Sequence, residues 1–481
     1  MNFKSIIYVL GCVLVITGAF MLLPVAVGLL YGETTGALAF LGCAVGCLLA
    51  GFPLTRLKAR FSIFTVKDGY VSVALCWIVM SLVGALPFAI SGEIPSYLDA
   101  LFEIVSGFTT TGASILSNVE ALSHCMLFWR SFSHWVGGMG VLVFLLAFTG
   151  EKGKGFTMHL LRAESPGPDV GKLAPKMRTT AGILYIIYIV LTVLNVIFLL
   201  LGDMPPLEAV CHALGTAGTG GFGVKGDSFA SYSPYLQNVT TVFMILFGVN
   251  FSCYYLLLMR QFLGVFRDEE LRLYFGIILG SILLIFLDIR HLYGTLEESL
   301  RHAAFQVGSI ITTTGYATTD FDLWPSFSKT ILLCLMVVGA CAGSTGGGIK
   351  VARILLLFKS LKRNIAQMLH PRKVKLVRNN GSVVDERILS NTNAYLSAYV
   401  LIVFISFVLI SLDGFSTGTN FSAVLACLNN IGPGLETVGP VCNYSSFSAF
   451  SKLVLTMDML LGRLEIFPIL VLFSFQTWKN A

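Results

Sequence analysis

Four strings rich in glycine and threonine stand between apolar stretches of this 481-residue chain. Aligned on one glycine without gaps, they read DALFEIVSGFTTTGA (99–113), EAVCHALGTAGTGGF (208–222), HAAFQVGSIITTTGY (302–316) and FSAVLACLNNIGPGL (421–435), with Gly112, Gly221, Gly315 and Gly434 in register. Thirteen residues earlier stand Asp99, Glu208, His302 and Phe421, each followed by a small residue, Ala100, Ala209, Ala303 or Ser422. The Gly-rich ends of the strings carry no charge, so their chemistry belongs to the backbone. Carbonyl groups converging from four strings can replace the hydration shell of a monovalent cation, and glycine permits the backbone angles and close approach this needs. The residues placed to do so are Thr109, Thr110, Thr111 and Gly112; Gly218, Thr219, Gly220 and Gly221; Thr312, Thr313, Thr314 and Gly315; and Asn430, Ile431, Gly432, Pro433 and Gly434.

The elements that must hold these strings are membrane helices. The chain is 55% hydrophobic and 12% charged, whereas soluble domains carry about a quarter charged residues. Apolar runs long enough to cross a hydrocarbon core of ~30 Å recur. Spans are expected near 5–31, 36–54, 69–90, 127–148, 181–202, 238–258, 271–289, 329–357 (interrupted), 391–412 and 453–475. The first lacks a small-residue cleavage site and reads as a helix rather than a signal peptide. Each string follows one span and precedes another, a fourfold internal repeat of helix, short amphipathic segment, Gly-rich string and helix. Such a string cannot face lipid, because its backbone groups would go unpaired, and four of them converging on one axis can line an aqueous path. The expected fold is an all-α polytopic membrane protein of about ten spans, with fourfold pseudo-symmetric helix–pore loop–helix repeats around one pore.

Lysine and arginine set the orientation. Arg56, Lys58, Arg60 and Lys67 in 53–67, the six basic residues of 150–180, and above all 350–387 mark cytoplasmic loops, whereas 89–129 and 413–451 contain none and face outside. Both termini are then cytoplasmic. The net charge of +6 is a topological signal, not a footprint for nucleic acid. The eleven cysteines form no CxxC pair and read as small buried hydrophobes.

CAGSTGGGIK (341–350) nearly matches a phosphate loop, but Ile349 separates Gly348 from Lys350 and the string lies within an apolar span, so nucleotide binding is not expected. A helix broken by glycines must line a cavity or pack on protein. Arg463, in LLGRLEIF, must face the interior, either paired with Glu465 or Asp458 or as a cation beside the path. Arg130 and His134 read as interfacial anchors, and Asp99, Glu103 and Glu208 as caps or flanks of the short helices or as a source of negative surface potential at the mouth. In 359–387 the alternation KVKLV followed by NNG reads as a hairpin.

The motifs FTTTGA (108–113), HWVGGMGV (134–141), GTGGF (218–222), TTTGY (312–316), GACAGSTGGGIKVARILLL (339–357), LNNIGPGL (428–435) and MLLGRLEIF (459–467) together resemble the Trk/Ktr/HKT superfamily of potassium transporters, and within it the Trk-type bacterial uptake subunits of the TrkH/TrkG branch. The resemblance covers nearly the whole chain. It implies a two-helix N-terminal unit (1–66) ahead of four pore-loop repeats at 67–178, 179–267, 268–387 and 388–481. It implies potassium bound at the filter strings and a gate formed by Gly343, Ser344, Thr345, Gly346, Gly347 and Gly348, to which Arg463 is added as the neighbouring cation. Some plant relatives that transport sodium carry serine at the first filter glycine; glycine in all four strings favours potassium. The family further implies a homodimer of two separate pores in the bacterial inner membrane and a cytoplasmic nucleotide-binding regulatory subunit of the TrkA type, for which the basic 359–387 loop is the expected docking surface.

The expected function is potassium uptake through a gated, channel-like pore, with a proton- or sodium-coupled symporter as the alternative. No chain of carboxylates crossing the spans supports coupling. With no HExxH motif in the sequence, no enzyme is expected. No covalently bound cofactor is expected, and potassium enters only as the transported ion.

Overall fold

A computed structural model describes residues 1–57, 65–140, 177–372 and 375–479. The long apolar stretches form helices because in hydrocarbon only intrahelical bonding satisfies every backbone group. They are α1 (Phe3–Tyr31), α2 (Thr34–Thr55) and α3 (Val66–Ser91), followed by a half-length helix α4 (Tyr97–Phe108) and α5 (His124–Met139). Next come α6 (Met177–Leu200), the short α7 (Pro206–Gly218), α8 (Pro234–Phe247), α9 (Phe251–Leu258) and α10 (Phe262–Arg267). The third group holds α11 (Glu269–Ile289), the short α12 (Leu296–Ile311), α13 (Ser326–Val338) and α14 (Val351–Leu369). The last holds α15 (Glu386–Ile410), the short α16 (Thr417–Leu428), α17 (Ala449–Arg463), α18 (Phe467–Phe473) and α19 (Phe475–Lys479).

Six helices among the described residues are long and apolar enough to cross a membrane: Phe3–Tyr31, Thr34–Thr55, Val66–Ser91, Gly182–Leu200, Glu269–Ile289 and Glu386–Asp413. A seventh crossing exists if α8 and α9, which meet at 90°, form one bent span. Two of the remaining expected spans are broken rather than missing. The 329–357 stretch divides into α13 and α14 around a non-helical loop, and 453–475 divides into α17 and α18 at Glu465 and Ile466, both with positive φ (54° and 69°). The 127–148 stretch is helical to Met139; 141–148 lies outside the described residues, as do Lys58, Arg60 and the basic loop through 176. Every described helix that follows a string is therefore interrupted or ends early, as backbone buried in protein allows and lipid-facing backbone does not.

α1 and α2 form an antiparallel pair at close range. A Cβ at Gly51 would stand 2.9 Å from the Gly11 carbonyl oxygen, so small residues set their approach. Along α11 and α15 the outward stripe is apolar, with Leu279, Leu283, Leu287, Leu401, Phe404 and Val408 all exposed, the reverse of a soluble protein. This is a multi-pass membrane protein. The expected hairpin forms one step later than KVKLV suggests: β1 (Arg378–Asn379) pairs with β2 (Ser382–Val383) around Asn380–Gly381, both with positive φ as a two-residue hairpin turn requires. Lys373 and Val374, at the start of that alternation, lie outside the described residues.

Candidate functional site: a ring of four strings and the loop packed against it

The four short helices α4, α7, α12 and α16 end in one shared way. Thr110, Thr219, Thr313 and Asn430 each adopt left-handed backbone (φ 55°, 55°, 59° and 56°). Their N–H groups donate to the carbonyls of Gly107, Thr216, Ile310 and Cys427. The next N–H groups, of Thr111, Gly220, Thr314 and Ile431, reach back five residues to Ser106, Gly215, Ser309 and Ala426 at 2.8–2.9 Å. This is a Schellman closure, which turns the chain sharply away from the helix axis. Glycine is its usual left-handed residue; three β-branched threonines there hold strain, of the kind concentrated at functional sites.

Two residues beyond each left-handed position stands a glycine of positive φ: Gly112 (80°), Gly221 (78°), Gly315 (87°) and Gly432 (97°). A Cβ at Gly112 would collide with the carbonyl oxygen of Gly220, one at Gly221 with that of Thr314, and one at Gly315 with that of Ile431. One at Gly432 would stand 2.7 Å from the carbonyl oxygen of Thr111. First string touches second, second third, third fourth, and fourth first. The ring is closed, and its seams admit no side chain.

This corrects the alignment of the fourth string. The glycine in register is Gly432, not Gly434, whose N–H instead bonds the Val438 carbonyl at 2.7 Å in the turn beyond. What decides the register is distance from the helix end, not glycine identity: Asn429 caps α16 as Thr109 caps α4 and Thr312 caps α12. Thirteen residues before Gly432 stands Thr419, followed by Asn420, so the small-residue position does not extend to the fourth repeat. Pro433 packs beside Gly315, its Cδ 3.0 Å from where a Cβ would be.

Side chains behind the ring fix it. In the first string Thr109 donates to the Val105 carbonyl at 2.6 Å and meets Thr111 at 2.8 Å; in the third, Thr312 and Thr314 repeat the pair at 2.7 Å. Asn430 donates to Thr111 at 3.0 Å, stitching fourth string to first, and Thr219 donates to Gly218. Tyr444 tightens the same seam, its N–H on Ser114 and its hydroxyl on Gly432 at 2.7 Å.

Arg130 and His134 are not interfacial anchors. Both are buried, and each braces the ring. Arg130 pairs with Glu103 at 2.7 Å, and Glu103 also accepts from Ser114 and from the Ile115 N–H. The Arg130 guanidinium lies over Phe222 and donates to the Gly223 carbonyl, so one buried ion pair steadies two strings. The His134 ring meets the Gly107 carbonyl at 2.8 Å and accepts from the Phe222 N–H. It occupies the space a side chain at Gly220 would need, which explains the second string's departure from TTTG. Of the other acids, Asp99 pairs with Lys452 at 2.7 Å and Glu208 accepts from Tyr232.

The glycine loop 339–350 folds against the turned ends of the third and fourth helices. The Gly347 N–H donates to Thr313 Oγ1 at 2.6 Å, and a Cβ at Gly346 would stand 2.8 Å from the Thr312 carbonyl oxygen. Thr345 donates to the Phe247 carbonyl, Ser344 to Cys341, and the Gly343 carbonyl accepts from the Phe251 N–H where α8 breaks from α9. Gly348 packs on Gly339. Lys350 turns back onto the Gly346 carbonyl, so the phosphate-like loop is filled by its own lysine.

Arg463 joins the loop to the ring. Its guanidinium donates to the Thr345 carbonyl at 2.9 Å, to Thr110 Oγ1 at 3.2 Å, and to the Gly137 and Gly138 carbonyls at the end of α5. Neither expected acid is its partner: Glu465 pairs with Arg353, and Asp458 accepts from Ser406. Glu270, which the sequence reading passed over, holds both limbs of the loop, accepting from the Ala342 N–H at 2.6 Å and the Ala352 N–H at 3.1 Å. Its only signal in sequence is three acids, Asp268–Glu270, at the head of a span on the basic side.

A closed ring of buried backbone, met by four helix C-termini inside a multi-pass membrane protein, is the candidate site for a cation. The TrkH family model, described as cation transport protein, matches residues 39–479, and the chain belongs to that family. It is 36% identical over 491 residues to the Trk system potassium uptake protein TrkH of Salmonella typhimurium, covering 100% of both chains. It is 33% identical to the Trk system potassium uptake protein TrkG of Escherichia coli, covering 96% of this chain and 95% of the other. The crystal structure of the potassium transporter TrkH from Vibrio parahaemolyticus superposes with a TM-score of 0.89 at 33% identity, covering 100% of each chain.

Proposed function

We propose that this chain takes up potassium through a single gated pore whose selectivity filter is the four-string ring. The observation that carries the reading is the closed seam pattern, in which each string's glycine lies against its neighbour's carbonyl. Backbone carbonyls are the ligands that substitute for a potassium ion's water. Four short helices point their C-terminal, partially negative ends at the ring, favouring a cation and repelling an anion. In this reading the repeats are fourfold pseudo-symmetric, and the interrupted second helices complete about ten crossings. The loop 343–348, with Arg463, is the gate: it packs against two filter turns and sets a positive charge beside the path.

The same reading places the protein in the bacterial inner membrane with both termini cytoplasmic, as the lysine and arginine distribution supports. The homodimer and the TrkA-type regulatory partner come with the family. The test is electrical recording of purified protein in liposomes under crossed potassium and proton gradients. A reversal potential that follows potassium alone is expected; one that moves with the proton gradient would show coupled transport instead.

A further inference from the structure

We infer that the acidic triplet Asp268–Glu269–Glu270 mechanically links the cytoplasmic hairpin to the glycine loop. The inference rests on the reading of that loop as a gate. The three residues open α11, and each grips a different part of the cytoplasmic side. Asp268 caps the helix, accepting from the Leu271 N–H at 2.8 Å, and its second oxygen accepts from the side-chain amide of Asn380 at 2.7 Å. The same Asn380 amide accepts from the Glu269 N–H at 2.9 Å, so the tip of the hairpin is held at two points. Glu269 pairs with Lys359 on α14, and Lys359 also donates to the Arg378 carbonyl of β1 at 2.8 Å. Glu270, buried, grips the two limbs of the loop through Ala342 and Ala352.

The consequence is geometric. Three consecutive residues on one helical turn share a rigid frame, so displacing the hairpin tip shifts the carboxylate that holds the loop closed. Asn380 sits in left-handed backbone at the exposed turn of the hairpin (φ 48°). A loop whose two limbs are gripped by one carboxylate through backbone N–H groups can be loosened without unfolding any helix, because those bonds are few and local. The gate thus has a handle about forty residues along the chain from one of its limbs, Ala342, and about thirty from the other, Ala352, joined to them through a helix end 112 residues from the handle.

Hydrogen exchange of the full-length protein in liposomes, with potassium flux measured on the same preparations, tests the link. The variants are Glu270→Gln, which keeps an acceptor but loses charge, and Asn380→Ala, which touches only the hairpin tip. Both are expected to speed exchange across 339–353 about tenfold, the effect of weakening charge-assisted bonds, and both are expected to raise flux. Faster exchange in Glu270→Gln with Asn380→Ala unchanged would overturn the link, leaving Glu270 as a local brace, and unchanged exchange in both would overturn it outright. Deletion of Gly346 to Gly348 separates this from the gate reading. If the deletion fails to raise flux while Asn380→Ala still speeds exchange, the link stands and the gate reading falls.

Discussion

The ring and the glycine loop are both glycine-rich, buried and non-helical, yet they are built by opposite rules. The ring is made four times from a local instruction: a helix end, a left-handed threonine or asparagine, one residue, a glycine. The loop is made once, and distant side chains hold it: Arg463, Glu270 and Thr313. A part whose shape is encoded locally resists perturbation elsewhere in the chain. A part positioned by a few long-range hydrogen bonds can be moved by changing one of them. A selective filter needs the first property and a gate needs the second.

The largest effect is expected where the ring leans on a buried ion pair. Arg130→Met leaves Glu103 charged and unpaired in the interior, which costs about 3–5 kcal/mol. Little folded protein should survive size-exclusion chromatography, and adding Glu103→Gln should recover part of it. Recovery to no degree would mean that Arg130 acts through its contact with Phe222 and Gly223 rather than through the pair.

Next come the loop's own contacts. Deleting Gly346 to Gly348 should raise potassium flux with selectivity preserved; a folded deletion protein that conducts less than the parent contradicts the gate. Arg463→Gln removes the charge and keeps some hydrogen bonding, whereas Arg463→Ala removes both. Flux normalised to folded protein should rise in both, more in alanine, by roughly tenfold if about 1.4 kcal/mol of gate closure is lost. Unchanged normalised flux in both would leave Arg463 without a gating role.

The smallest effect tests the local rule. Thr312→Val deletes a hydroxyl that bonds the Gly308 carbonyl and Thr314, and should lower stability by about 1 kcal/mol with flux retained. Thr109→Val, at the equivalent place, should match it in a thermal-shift assay. Unequal losses would show that the two strings are not held alike.

Much of this was legible in the sequence because it is periodic or compositional. Ten apolar stretches, four strings and the break at 339–350 follow from apolar runs interrupted by glycine. The register of the fourth string was not legible from glycine alone, because Gly432 and Gly434 flank Pro433 and either can be matched. The pattern that decides it is Thr/Asn-x-Gly, with Thr110, Thr219, Thr313 and Asn430 in line, since asparagine is among the few residues besides glycine that visit left-handed backbone readily. Buried charges misled for a different reason. Arg130 and His134 look like surface anchors from their position in the span, and only their partners, Glu103 and Gly107, reveal them as braces. Glu270 shows in sequence only as one of three acids heading a span, because its partners are backbone N–H groups 72 and 82 residues away, a contact with no signature in side-chain type.

The most direct test of the central claim compares two neighbouring glycines. Potassium-to-sodium flux ratios should be measured in liposomes for Gly432→Ser and Gly434→Ser, alongside Gly112→Ser, Gly221→Ser and Gly315→Ser. A side chain at Gly112, Gly221, Gly315 or Gly432 meets the neighbouring string's carbonyl, whereas one at Gly434 meets Val438 and Ser422 outside the ring. The four ring variants are therefore expected to lose discrimination together, with Gly434→Ser keeping the parent ratio in whatever protein folds. Loss of discrimination in Gly434→Ser with an unchanged ratio in Gly432→Ser would contradict the ring as the selectivity filter.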